Sequence, residues 1–277
     1  MATSSETNQA RDTLRYLRLM LLVVPLLLLV AIAVYAWWTG TIEESISSYY
    51  LGPARDLFVA MLVATAVLLV VYKGSSPLED YALNFAGFYA MFVAFVPTRL
   101  GETLGGLEPD ERLELIRSIQ VAVVAVLVVA AVFAWLDFRT TGWARARLLR
   151  DPWTRILTIA SFVFLAGFVV LLLWRTVEGN EFAGVHLAAT LLLIASMGVA
   201  IASHLGPGPL SAADTSGGRR RSYAVLLTIM VLGIPAVLIL TALGLKQAVF
   251  VVEWIEIGVF TTFWFLETRR TWHEGVA

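Results

Sequence analysis

The chain has 277 residues, 59% of them hydrophobic, with a formal net charge of −1 and no cysteine. The near-neutral charge speaks against a nucleic-acid partner. The missing thiols exclude a disulfide framework, a thiolate metal site and a cysteine nucleophile.

Eight apolar stretches follow one another, at 19–38, 54–72, 81–97, 116–136, 153–174, 182–203, 223–244 and 248–266. Most are long enough to cross a hydrocarbon core of about 30 Å at about 1.5 Å per residue. The expected fold is therefore all-α, a polytopic transmembrane bundle of eight spans. Residues 1–16 are expected to form a cytoplasmic N-terminal segment, 17–268 the eight-helix transmembrane domain and 269–277 a cytoplasmic tail.

The first stretch mimics a secretory signal, with Arg11, Arg15 and Arg18 ahead of an apolar run. From Leu19 to Trp38 that run has 20 residues, longer than a signal core of about 7–15. No small-x-small cleavage site follows it. Trp37 and Trp38 suit interfacial anchoring, so it reads as an uncleaved first span. Pro53, Pro77, Pro109 and Pro152 each mark a helix start, where a missing N–H costs nothing. Ser76 to Glu79 fits a capping box. Pro25 and Pro235 fall inside spans 1 and 7, where kinks are expected.

Span 3 carries Ala82, Ala86, Ala90 and Ala94 at four-residue spacing, with Gly87 beside them, a stripe that admits a close neighbour helix. Span 6 is similar, with Gly184, Ala188, Ser196, Gly198, Ala200 and Ala202. Both are expected inside the bundle, and spans 1 and 4, rich in Leu and Val, towards lipid. No internal repeat is evident, which weakens an inverted-repeat transporter reading. Residues 139–155 combine five Arg with Trp143 and Trp153. They suit anionic headgroups or simply fix topology. Residues 205–222 read as a flexible linker ending in an Arg cluster. Residues 99–117 are acidic, with Asp110 and Glu111 in the expected first turn of a helix.

With eight spans, one side carries 14 of the 20 basic residues, including Lys73, Arg219, Arg220 and Arg221, and the other side six. The positive-inside rule then puts both termini in the cytoplasm.

Ionisable residues within spans are functional candidates by default. Asp56, His186, Glu253 and Glu256 all fall at roughly 5–12 Å depth from the outer helix ends. The expectation is one outward-facing polar pocket holding these four, with Ser47, Ser48, Tyr49 and Tyr50 as its roof. Each has a plainer explanation. Asp56 can complement a helix N-terminus or pair with Arg55, His186 can be a satisfied interfacial histidine, and Glu253 can snorkel or pair with Lys246. Glu256 is the deepest and hardest to dismiss. On the inner side, capping explains Glu79, Lys73 fits a basic loop, and Asn84 suits an interhelical hydrogen bond. His204 and His273 read as surface residues.

The hydrolase, zinc-protease, Walker and dinucleotide motifs are absent. A metal at His186 with Asp56, Glu253 and Glu256 is conceivable but not signalled by spacing, and no cofactor is indicated.

The segments Ser45-Ile46-Ser47-Ser48-Tyr49-Tyr50, Arg55-Asp56-Leu57-Phe58-Val59, Tyr72-Lys73-Gly74, Glu79-Asp80, Asn84-Phe85-Ala86-Gly87 and Pro97-Thr98 carry a resemblance. The chain resembles an uncharacterised group of bacterial multi-pass proteins, similar to Frag-like and related membrane families of unknown function. The start of span 6 at His186 and Glu253 in an aromatic-rich last span are also similar. The resemblance implies a multi-helix membrane fold and singles out Asp56, His186 and Glu253. It implies no activity.

The first functional reading is a non-enzymatic protein of the bacterial cytoplasmic membrane. Its partners would be the lipid bilayer, anionic lipids at 139–155, and a small solute or lipid headgroup bound or moved through the outer pocket. The alternatives are an intramembrane metal-dependent lipid hydrolase and a scaffold or assembly factor.

Overall fold

The computed structural model describes residues 4–141, 152–179, 181–205 and 217–272. Within them every regular element is helical. The long helices are α1 (Ser4–Thr39), α2 (Arg55–Val71), α3 (Pro77–Phe95), α5 (Pro109–Thr141), α6 (Pro152–Glu178), α7 (Val185–Ala202), α8 (Gly217–Ala242) and α9 (Ala248–Trp272). A 3-10 turn (Ile46–Leu51) precedes α2, and a short helix α4 (Leu100–Gly105) follows α3.

The eight apolar stretches thus become eight helices. Seven of these, all but α2, are long and apolar enough to cross a membrane. The α2 helix has 17 residues, which at about 1.5 Å each span about 25 Å.

Local signals account for several boundaries. Helices α3, α5 and α6 begin on Pro77, Pro109 and Pro152 as expected, whereas α2 begins two residues beyond Pro53. The capping box forms with a shift. Ser76 Oγ accepts from Glu79 N at 3.2 Å, but Glu79 Oε2 reaches back to Ser75 N at 2.6 Å rather than to Ser76. Glu111 Oε2 accepts from Glu108 N in the same manner at the start of α5. Pro25 and Pro235 lie inside continuous helices.

Helix α3 is the centre of the bundle, packed between α2 and α7. Its small-residue face explains this position. Ala82, Ala86, Ala90 and Ala94 are all buried, and a Cβ built on Gly87 would stand 2.6 Å from Ala66 O of α2. Backbones this close leave no room for a side chain. Helix α1 packs on α9 and α2, and α8 on α9 and α7, while α5 and α6 lie outside against α3 and α7. Spans 1 and 4 were both expected towards lipid. Only 11% of the apolar window of α5 is buried, against 28% for α1. The difference arises because Leu21, Leu28 and Ile32 of α1 face the interior.

Three apolar clusters result. One, at the end carrying the chain termini, joins Leu21, Leu69, Tyr72, Leu83, Phe263 and Trp264. A second joins Phe92, Phe168, Leu172 and Phe182 at the opposite end. The third seats Tyr49, Tyr50 and Phe58 against Leu28 and Ile32.

Two expectations about connections change. Residues 217–222, including Arg219, Arg220 and Arg221, belong to the first turns of α8 and not to a linker. Most of the basic segment 139–155 lies outside the described residues, as does His273. Within the described part, the Arg139 guanidinium stacks over Trp135 at 4.4 Å.

Candidate functional site

The residues expected to share an outer pocket are distributed as follows. Ser47 is buried in the 3-10 turn, its Oγ 2.8 Å from Ser45 Oγ. Glu253 of α9 accepts the Ile46 amide of that same turn, so Glu253 and the Ser45–Ser47 turn come together. Glu253 thereby fixes the turn instead of pairing with Lys246. Asp56 is exposed in the first turn of α2. Its neighbour Arg55 turns away, donating to Tyr50 Oη at 3.2 Å and lying over the Tyr50 ring. His186 Nδ1 lies 2.6 Å from Val96 O, where α3 ends. Glu256 is buried, with neither carboxyl oxygen hydrogen-bonded. It faces α8, where a Cβ on Gly233 would collide with Glu256 Oε1. Among the described residues, no hydrogen bond or ion pair joins Asp56, His186, Glu253 and Glu256 to one another.

A polar cleft does exist at the end opposite the termini, and other residues build it. Its volume is about 310 Å³, and its walls include Tyr35, Glu43, Ser48, Arg99 and Glu102. The wall geometry has local causes. Ser45 caps the 3-10 turn by accepting from Ser48 N. Arg99 adopts a left-handed φ of 52° between α3 and α4, which aims its guanidinium back at the turn. There it pairs with Glu44, and its Nε lies 3.9 Å from Glu102. The Glu44 carbonyl in turn accepts from Phe250 N of α9 at 3.0 Å. The Tyr49 hydroxyl on this wall has its pKa raised by burial.

A second, apolar groove of about 560 Å³ runs beside the cleft along α1. It is lined by Leu27, Val30, Val34, Tyr35 and Trp38. Tyr35 belongs to both, so polar and apolar surfaces meet at one side chain. Trp37 and Trp38 are largely exposed nearby, at 84% and 83%, consistent with interfacial anchors.

The other polar concentration lies at the terminal end, in residues read from sequence as a capping group and a surface histidine. His204, in the turn closing α7, is fully buried, as are Glu79 of α3 and Glu267 of α9. That burial corrects the surface assignment. The Tyr223 ring of α8 stacks on the imidazole, with centroids 4.8 Å apart, and Phe263 packs against its edge. His204 Nε2 is 3.3 Å from Glu79 Oε1, and Nδ1 is 3.6 Å from Glu267 Oε1. Tyr223 Oη donates to Glu267 Oε1, and Arg270 Nη2 donates to Glu267 Oε2 at 2.7 Å. Arg270 also donates to Ser75 Oγ at 2.8 Å. Beside this group, Arg18 Nε donates to Tyr72 Oη at 2.8 Å. Asn84 departs from expectation, since its Oδ1 accepts no hydrogen bond.

Neither set is written in a local motif. Glu43 and Arg99 sit in connections and Glu102 in the first turn of the short α4, where their charge needs no explanation. His204 is a lone histidine at a helix end. Comparison with family models, with curated proteins and with solved structures returns no match to this chain.

Proposed function

We propose that this is an eight-span membrane protein with both termini cytoplasmic that binds an amphipathic lipid at its outer end. The headgroup would enter the polar cleft and the acyl chain would lie in the groove along α1. The observation that carries this reading is the junction of the two spaces at Tyr35. A free polar solute has no use for an apolar groove, whereas a phospholipid needs both surfaces side by side.

The cleft chemistry supports a zwitterionic headgroup. The Arg99 fork suits a phosphate, to which a guanidinium donates two parallel hydrogen bonds. Glu43 and Glu102 would receive an ammonium. Ser48 and Thr103 add neutral donors. This reading replaces the four in-span residues by wall residues of the cleft as the ligand contacts. Glu253 keeps a supporting role, because it holds the amide of Ile46 and with it the turn that forms one wall. The hydrolase alternative draws no support from His186, whose ring nitrogen is engaged with a backbone carbonyl. The reading places the protein in the bacterial cytoplasmic membrane, and the excess of basic residues on one side supports its orientation there.

The test uses the full chain in phosphatidylglycerol nanodiscs doped with phosphatidylethanolamine, read by retained lipid in native mass spectrometry. Phosphatidylethanolamine is expected to be enriched. A hydrogen bond to a charged group contributes about 1.5–3 kcal/mol, so Arg99→Gln should weaken retention about 10-fold or more. Equal binding of free phosphoethanolamine would favour a soluble solute. Retention of neither, or no effect of Arg99→Gln, would refute the cleft as the site.

A further inference from the structure

We propose that Glu79, His204 and Glu267 form a binding site for a divalent transition-type cation of the zinc class. The site lies at the terminal end of the bundle and is independent of the lipid reading. One ligand atom from each of the three residues can be chosen so that all lie within 4.8 Å of one another. Two donors on one tetrahedral zinc stand about 3.3–3.5 Å apart, given bonds of about 2.0–2.2 Å. The Glu79 Oε1 to His204 Nε2 separation of 3.3 Å already meets that requirement. Glu267 Oε1 stands at the other ring nitrogen, 3.6 Å from Nδ1, so a shared ion requires Glu267 and the imidazole to shift relative to each other.

Two further observations point to a ligand rather than to an ordinary ion pair. Glu79 Oε1 is completely buried and accepts no hydrogen bond, while its other oxygen is held by Ser75 N. Buried carboxylate oxygens are costly to leave in that condition. Each carboxylate is also oriented from outside the cluster. Ser75 N holds Glu79, and Tyr223 and Arg270 hold Glu267. Such outer partners are what fix the ligands of a metal centre. Three cations flank the group, Arg270, Arg18 and Arg219, the last acting on Tyr223. Arg270 sits on the far oxygen of Glu267, and Arg18 is bonded to Tyr72.

The donor set selects the ion. One imidazole with two carboxylates suits zinc, manganese or ferrous iron. Calcium asks for six to eight oxygens and magnesium for an octahedral, mostly hydrated shell. Three protein ligands leave one position for water or another ligand, the arrangement of reactive rather than closed structural sites. The ligands come from the start of α3, the turn after α7 and the last turns of α9, so a bound ion would tie three helix ends together.

The experiment titrates Zn²⁺ alone into chelator-stripped full chain in detergent, by calorimetry and elemental analysis. One Zn²⁺ per chain is expected, with a rise in Tm. Tyr223→Phe should weaken binding about 10-fold, as losses of outer partners do. Glu79→Gln and His204→Asn should weaken it further and abolish the rise in Tm. Asp80→Asn, the exposed neighbour paired with Lys73, should bind as the wild type does. Should the buried variants fail to fold, Cu²⁺ bound to the wild-type chain should give an electron paramagnetic spectrum with coupling to a single imidazole nitrogen. No saturable binding would overturn the proposal and leave the three residues as a proton-holding ion network. Binding unchanged in Glu79→Gln and His204→Asn, or copper coupled to no imidazole or to several, would overturn it as well.

Discussion

At the scale of single residues, Glu256 is the sharpest test of what a buried charge means here. It is 9% exposed, no group hydrogen-bonds it, and Gly233 makes room for its carboxyl. An unsatisfied buried polar group costs about 1–3 kcal/mol. Glu256→Leu is therefore expected to stabilise the fold by about that amount in reversible detergent denaturation. A loss of stability would mean that the carboxyl has a ligand or an ordered water partner. The same residue shows how far sequence reasoning reaches. Its depth in the last span was legible from helix rise alone. Its isolation from His186 was not, because that depends on how α7 and α9 are rotated in the bundle. His204 is the converse case. A histidine just past an apolar stretch carries no local mark of burial, and Glu79 and Glu267 reach it only through tertiary packing.

Among the helices, α3 explains most of the architecture, and its pattern could be read directly. Small residues every four positions put one bare face on one side, and the buried Ala82, Ala86, Ala90 and Ala94 lie on it. Ala86→Leu is expected to destabilise by at least the overpacking range of about 1–3 kcal/mol. Gly87→Ala should also destabilise, because the obstacle it meets is the Ala66 backbone oxygen. Leu27→Ala on the exposed side of α1 should cost far less. Similar melting temperatures for all three variants would contradict a central α3. The two-sided character of α1 was not legible. Its Leu-rich run looks alike all round, and contact with α9, α2 and the turn before α2 separates the interior Leu21 and Leu28 from the outward Leu26 and Leu27.

For the whole molecule, the question is whether α2 crosses. If all eight helices span, the termini share a side, and the excess of basic residues places that side in the cytoplasm. A C-terminal reporter that requires the cytoplasm should be active, and an N-terminal one as well. Opposite results at the two ends would show that α2 stays within one leaflet. Local thinning of the bilayer costs only fractions of a kcal/mol per Å of mismatch. A 17-residue helix packed against α1 and α3 can therefore span at modest cost.

The packing of α1 against α9 has a consequence for biogenesis. Helix α1, made well before α9, has that late helix as a principal neighbour. The loop after α1 is also fastened to α9, through Glu44 O to Phe250 N and Ile46 N to Glu253. Chains emerge at about 5–20 residues per second. Between the insertion of α1 and the arrival of α9 the nascent bundle therefore stays open for many seconds, with the inward face of α1 available to lipid or to an insertion chaperone. Closure waits for the release of α9, so α1 stays without its permanent partner until every helix between the two has been made.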